Sequence, residues 1–592
     1  MSLDVACSAN PARGQPNRAP LRPAAGRGAW LVPDVSLVAS FATLFYCLTL
    51  FNGVQKLFRD SDSGWHIRTG ESILAGGALP RSDPYSFTRS GQPWFAWEWG
   101  SDVLMGAAHR LGGLPGVVLL YALAIAAGVW LWFRLHWASG GNFFLACALA
   151  APMLSTANLH WHARPHVLSW LLLLAAVWYA ERLSAGSRWH RHSWLWVSLC
   201  TALWANLHAS FFFAPAIALL YAAAHFARPL IWDLDAAGNA SEAVKECPPP
   251  SGQQDRRPGA CATSAASQSC GAGPRPALAF FHSFSGINAA AERRKARWFL
   301  WAAASALLGS LLNPYGWNLH RHVLGYLADR ELLARVGEFQ SFNFHAQGAF
   351  QILLALGVAA LGAVLALGQR KLAQFLLSVA LIGMALRSAR GLPLVALLLL
   401  PLANGAITQA LRSSRNLQPR LRRVLDRFLD YSDRLRGLEV ALDGRVWASA
   451  VVLISLGWLT LPAVAARTGF PPDQFPTAAA AAIEKLPEGI RLLAPDKYGG
   501  YLIYRFQGKR KVFCDGRSDF YGAGFMQQYI RLMQVRPGWR AQLDTMGFTH
   551  ALLPNDYSLL EALEQLGWKR LYRDSVATLL EKPSAEPGKA DG

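Results

Sequence analysis

The chain has 592 residues, 53% of them hydrophobic and only 16% charged, proportions that exclude a soluble protein of several ordinary domains and put much of the chain in lipid. Its formal net charge of +20 does not argue for nucleic acid, because the excess Lys and Arg fall in a few loops and not along one soluble face. Eight cysteines without a CxxC pair supply neither a disulfide framework nor a zinc site.

A basic N-terminal tail, residues 1–29, precedes an apolar run at 30–51 that is too long for a signal-peptide core and is read as an anchor. Further runs near the length that crosses about 30 Å of hydrocarbon occur at 116–137, 143–157, 167–181, 194–207, 211–226, 298–312, 349–367, 372–386, 392–407 and 446–464. The fold class expected is a mainly α, polytopic helical bundle of about eleven spans over 30–465, followed by a small C-terminal α/β domain at 470–584 and a disordered tail at 585–592. The first polar loop, 52–102, carries a stretch from Trp99 that suits an amphipathic helix at the interface. An insertion at 228–296, centred on a Ser, Gly, Ala and Pro-rich stretch, is expected to be disordered. A basic segment at 410–445 reads as an amphipathic helix on a cytoplasmic surface.

Orientation follows from charge. The loops with Arg182, Arg188 and Arg191, with Arg293, Arg294, Lys295 and Arg297, and with Arg420, Arg422, Arg423 and Arg427 belong inside. With an odd number of spans, the N-terminus is then cytoplasmic and the C-terminal domain faces the other side. No glycine-rich phosphate cradle of the GxxxxGK[ST] or GxGxxG kind follows a strand in that domain.

Ionisable residues beside a membrane are costly unless they meet water, a partner or a ligand. The densest group opens the first loop: Asp60 and Asp62, then Trp65 and His66, with Asp83, Trp94, Trp97 and Glu98 downstream. Two carboxylates at i and i+2 with a nearby imidazole supply a general base, a proton carrier and a carboxylate pair for a divalent cation. A solvated loop whose acids pair with Arg59 and Arg68 is the plainer reading.

The run DSDSGWHIRTGESILAGGALPRSDPYSFTRSGQPWFAWEW resembles the first external loop of bacterial membrane proteins related to the GT-C class, which includes protein mannosyltransferases, aminoarabinose transferases and oligosaccharyltransferases. YGGYLIYRF and VFCDGRSDFYG in the tail resemble that group as well. The resemblance implies an inverting glycosyltransferase of the bacterial inner membrane and cell envelope. It would take a polyprenyl-phosphate sugar as donor and an external glycan, lipid or protein as acceptor. It implies catalytic roles for Asp60 and Asp62, with His66 and Asp83 beside them, although Asp60-Ser61-Asp62 differs from the paired-acid signature of the mannosyltransferases.

Other polar residues at span ends on the same side complete the expected site. Arg164, His166, Arg387 and Arg390 are assigned to the donor phosphate, since a guanidinium binds phosphate through two parallel hydrogen bonds and keeps its charge. Trp65, Glu98, Asn206, His208 and Asn313 are assigned to substrate or acceptor. No metal ligands are assigned; Mg or Mn bridging phosphate and carboxylates is one option, and Arg alone the other. Two further readings compete: a transporter or channel, against which stands the lack of an internal repeat, and a non-catalytic envelope assembly protein of the same architecture. The partners expected are the lipid bilayer and those substrates, not nucleic acid.

Overall fold

The computed structural model describes residues 29–232, 287–414, 416–442 and 444–583. The N-terminal tail, the centre of the expected insertion and the residues from 584 onward lie outside them. Both borders of that insertion are helical, because the helix Phe213–Trp232 covers its start and the next helix opens at Ala289.

The membrane part is a bundle of helices: α1 (Val35–Thr49), α2 (Asp62–Gly76), α3 (Trp99–Ala138), α4 (Phe143–Ala157), α5 (Pro165–Ser184), α6 (Ser193–Leu207), α7 (Phe213–Trp232), α8 (Ala289–Ser310), α9 (Trp317–Ala328), α10 (Ala349–Gly368), α11 (Leu372–Arg387), α12 (Leu400–Ser413), α13 (Pro419–Ala441) and α14 (Arg445–Thr460). Local signals set several of their ends. The Asp34 carboxylate accepts from the Leu37 amide at 2.7 Å to cap α1, Asn142 does the same for Leu145 at 3.1 Å to cap α4, and α5 opens on Pro165. The expected helix from Trp99 is present but continuous with the following span, across a kink where Gly112, Gly113 (φ 61°) and Pro115 interrupt the helical backbone.

All eleven expected apolar runs are helical, yet only six helices among the described residues are long and apolar enough to cross a membrane: Trp99–Ala138, Phe143–His160, Pro165–Ser184, Ala209–Trp232, Ala349–Gly368 and Ala389–Ser413. The expected count of eleven is not reached by that measure. Val35–Thr49 and Leu372–Arg387, with 15 and 16 residues, rise only about 23 Å at 1.5 Å per residue, short of a hydrocarbon core. The hydrophobic effect does not draw helices together in lipid, so association relies on the close packing that small residues allow. A side chain on Gly362, for instance, would lie 2.3 Å from Ala403 of α12.

Polar contacts gather at the two ends of the bundle. At one end Arg134 pairs with Asp34, the Glu439 carboxylate accepts from the Val35 amide at 2.9 Å, and Asn404 accepts from the Asn142 amide at 2.8 Å. At the other end the first loop, the start of α5, the junction of α6 and α7 and the turn between α11 and α12 meet the C-terminal domain.

That domain contains α15 (Thr477–Glu484), β1 (Leu492–Leu493), α16 (Asp496–Arg505), α17 (Ser518–Met533), α18 (Trp539–Met546), β2 (His550–Pro554), α19 (Ser558–Gln565), β3 (Lys569–Arg573) and β4 (Ala577–Glu581). Its sheet runs β1-β2-β4-β3, parallel between β1 and β2 and antiparallel elsewhere. Residues 512–514 lie outside this sheet and pair with the first loop: the Val512 amide donates to Tyr85 O at 2.9 Å, the Phe87 amide to Val512 O at 3.0 Å and the Thr88 hydroxyl to Phe513 O at 2.7 Å.

Candidate active site

Glycine pairs bring the two polar motifs into contact. A Cβ on Gly64 of α2 would fall 2.1 Å from Gly500 O, and one on Gly500 would fall 2.2 Å from Ser61 O. Only residues without a Cβ allow α2 and α16 this approach. The same approach sets Gly516 against the Asp62 carboxylate, with its would-be Cβ 2.1 Å from Oδ1. DSDSG in the first loop, YGGY on α16 and CDGR before α17 thus form one packed unit.

Within that unit the Arg164 guanidinium bridges the two acids, with Nη1 2.8 Å from Asp60 Oδ2 and Nη2 3.0 Å from Asp62 Oδ2; Glu338 Oε1 lies 3.4 Å from Nη1. Burial pushes Asp60 up, but Arg164 and His162 outweigh it and hold the carboxyl below its ordinary range. Burial lifts Asp62 to about 7 against the pull of Arg164, and the neighbouring Asp60 adds to the rise. Glu338 is half-buried, and Arg390 and Arg164 keep its carboxyl well below the usual value. Arg390 Nε donates to Glu338 Oε2 at 2.5 Å.

Beside this cluster opens a cavity of about 770 Å³, within the 300–1,000 Å³ common for small-molecule sites. Carboxylates of Glu98, Asp102, Glu338 and Asp519 line it, as do the guanidinium groups of Arg164, Arg330, Arg387, Arg390 and Arg517. Trp65, Trp94 and Trp97 form one wall. Glu98 stands between two imidazoles, its Oε1 3.5 Å from His208 Nε2 and its Oε2 3.8 Å from His66 Nε2. Burial raises the Glu98 carboxyl to about 8, with Arg164 opposing and Asp519 reinforcing the shift. Burial also takes His66 well below its usual value and His208 down to about 3, so both rings are neutral near pH 7. His66 Nδ1 shares a 2.5 Å hydrogen bond with Asp102 Oδ1.

No family model matches the chain, and no curated protein matches it in sequence. Among solved structures it is similar to the oligosaccharyltransferase of Archaeoglobus fulgidus in complex with Zn and sulfate, at 13% identity and a TM-score of 0.46, covering 88% of this chain and 68% of that one. It is also similar to ArnT from Cupriavidus metallidurans bound to undecaprenyl phosphate, at 13% identity and a TM-score of 0.33, covering 92% and 96%. Both are GT-C glycosyltransferases, the class that the first loop resembles. No residue correspondence follows at such identities. The chain itself is a multi-pass membrane protein with a small C-terminal sheet domain.

The residues expected from sequence are distributed as follows. Trp65, Glu98, Arg164, His166, His208, Arg387 and Arg390 line the cavity. Asp60 and Asp62 are held behind Arg164, and His66 lies behind Glu98. Asp83 is elsewhere: its carboxylate, 3% exposed as a residue, accepts from Arg517 Nη2 at 2.8 Å and from the Tyr85 and Ser86 amides. The Arg517 contact holds the first loop on the tail domain, and the amide contacts close a turn within the loop. Asn206 joins helices, accepting from Trp99 Nε1 at 2.8 Å and donating to Leu312 O at 2.9 Å. Asn313 closes its own turn, donating to Ser310 O and accepting from the Tyr315 amide.

Glu338, Asp102 and Arg330 carry no mark in the sequence, and Asp515, Arg517 and Asp519 suggest there no more than an ion-pair turn. The pair is real, with Arg517 Nε and Nη2 on Asp515 at 2.8 and 2.7 Å, but Arg517 and Asp519 also face the cavity. As for a divalent cation, no group of three His, Cys, Asp or Glu side chains suited to a metal occurs among the described residues. Arg164 already occupies the place between Asp60 and Asp62. The acids present therefore do not fit a bridging Mg or Mn.

Proposed function

We propose that the chain transfers a sugar from a polyprenyl-phosphate donor to an acceptor hydroxyl, with inversion, at the outer face of a bacterial cytoplasmic membrane. In this reading the N-terminus is cytoplasmic and the C-terminal domain roofs the site outside. One observation carries it: a single cavity at the end of the bundle holds a carboxylate of raised pKa, Glu98, together with the guanidinium groups of Arg387 and Arg390.

The chemistry needs a base and a place for departing negative charge. Ionised Glu98 accepts the proton of the acceptor hydroxyl as that oxygen bonds to the anomeric carbon. The bond from that carbon to the phosphate oxygen breaks, and its electron pair leaves with the polyprenyl phosphate, where Arg387 and Arg390 meet the charge. Asp60 and Asp62 fix Arg164 in the floor, so they position a cation and do not act as the base. Trp97 offers its indole to a sugar ring, whereas Trp65 is stacked on His66 at 3.6 Å and Trp94 lies under the Arg517 guanidinium at 4.5 Å. The acceptor is a glycan, a lipid or a protein hydroxyl.

The test is a purified, reconstituted protein supplied with radiolabelled polyprenyl-phosphate monosaccharides and membrane extract as acceptor source. Labelled product that disappears in Glu98→Gln and in Arg387→Gln/Arg390→Gln, with thermal unfolding unchanged, supports the reading. Unchanged product in those variants sinks it. Solute flux through vesicles without covalent product would favour a transporter, and a cell envelope unaltered by the variants would favour a non-catalytic assembly protein.

A further inference from the structure

The face of α13 that turns away from the bundle has a regular composition. Leu421, Val424, Phe428, Tyr431 and Leu438 recur at helical spacing along one stripe and are 55, 62, 43, 51 and 47% exposed. Globular packing would bury such a stripe; here the buried positions are others, Leu429, Ser432 and Glu439, and they face the bundle. The Ser432 hydroxyl accepts from the Phe143 amide at 2.8 Å and Glu439 accepts from the Val35 amide, so α13 is pinned across the bundle end opposite the cavity. Its axis is bent by 71° from that of the following helix.

Charge follows the stripe. Arg420, Arg423, Arg427 and Arg434 are exposed and lie along one border of it on the helical wheel, none of them ion-paired to a carboxylate among the described residues. The neighbouring acids are engaged elsewhere, Asp426 by Arg422 and Asp433 by Arg412 and Arg436. Asp430 falls beyond the arginine row, away from the stripe. The stripe is also continuous with the bundle surface, because the half-exposed Phe144 at the start of α4 stacks on Phe428 at 5.2 Å and on Tyr431 at 6.0 Å.

We infer that α13 lies in the plane of the bilayer, its apolar stripe in the acyl region of the leaflet opposite the cavity and its four bordering arginines on the headgroups of anionic phospholipid. A helix with one apolar face flanked by unpaired cations binds such an interface by burial and by attraction to lipid phosphate together. An acidic protein partner would satisfy the arginines, but it would not explain an apolar stripe that runs on into the lipid-facing surface of α4.

The experiment uses the full chain in nanodiscs of phosphatidylcholine with and without phosphatidylglycerol. Benzoylphenylalanine is placed at position 424 or, as a control, at position 430, and lipid adducts after illumination are read by mass spectrometry. Adducts to acyl chains at position 424 and none at 430 are expected. Native mass spectrometry should find phosphatidylglycerol retained on the parent in preference to phosphatidylcholine, and that preference lost in Arg420→Gln/Arg423→Gln/Arg427→Gln/Arg434→Gln. These arginines make no ion pairs, so the variant should unfold at the parent's temperature. No lipid adduct at 424, cross-linking there to a second copy or another protein, or an unchanged lipid preference in the quadruple variant each overturns the inference.

Discussion

Replacing Arg164 with Gln leaves Asp60 and Asp62 facing each other without the cation that bridges them at 2.8 and 3.0 Å. At an effective dielectric of about 20, each of those contacts is worth roughly 6 kcal/mol of Coulomb attraction before desolvation is charged against it. Breaking a buried pair on one side costs about 3–5 kcal/mol in practice. The carboxyls can relieve that cost by taking up protons, which makes the loss depend on pH. Asp62, already raised to about 7, rises further without Arg164, and Asp60 loses the interaction that holds it low. A carboxyl whose folded pKa lies above its unfolded value of about 3.9 binds a proton on folding, so its contribution to stability falls as pH rises through the folded pKa. The deficit of Arg164→Gln relative to the parent should therefore be smallest near pH 5 and reach about 3–5 kcal/mol near pH 8. Denaturation in mixed micelles at the two pH values measures it. The double variant Arg164→Gln/Asp62→Asn should regain more than half of the pH 8 loss, because only one acid is then left unpaired. A deficit independent of pH, or strictly additive variants, would refute the bridging role of Arg164.

Gly500→Ala places a methyl 2.2 Å from Ser61 O, and the resulting displacement of α16 from α2 should cost about 1–3 kcal/mol, read as earlier protease cleavage of the C-terminal domain. Arg517→Met leaves Asp83 and Asp515 buried without their cation and should loosen the first loop from that domain by about 3–5 kcal/mol, visible as hydrogen exchange at residues 85–88. If Glu98 is the base, sugar transfer by the parent should rise with pH through about 8. Glu98→Gln should then lose about 10²–10⁴-fold in turnover along with that pH dependence; a variant with the parent's profile would assign the base elsewhere.

The apolar runs were legible because a span must be apolar all round, a pattern no loop imitates. Their lengths were less so: at α1 and α11 the helix stops short of the apolar run's usual span, and length decides whether a helix can cross alone. Arg164 stood out by its place between histidines and an apolar helix, and the acids after α1 by density. Glu338 and Arg330 carried no such mark, since one acid and one base in an ordinary polar stretch gain meaning only from Arg390 and the cavity, dozens of residues away in sequence. Asp83 is the opposite case. Its neighbourhood looked like a site, but its partner is Arg517, more than four hundred residues downstream, and no local pattern reveals so distant a counter-charge.

The backbone pairing between residues 85–88 and 512–513 has a consequence for biogenesis. The first loop is made early, while the segment that pairs with it and the cation that locks it emerge only after helices α1 to α14 have been made. A ribosome stalled between the end of α14 and position 517 would leave that bundle with an open, unlatched pocket, so assembly of the pocket waits on synthesis of the C-terminal domain.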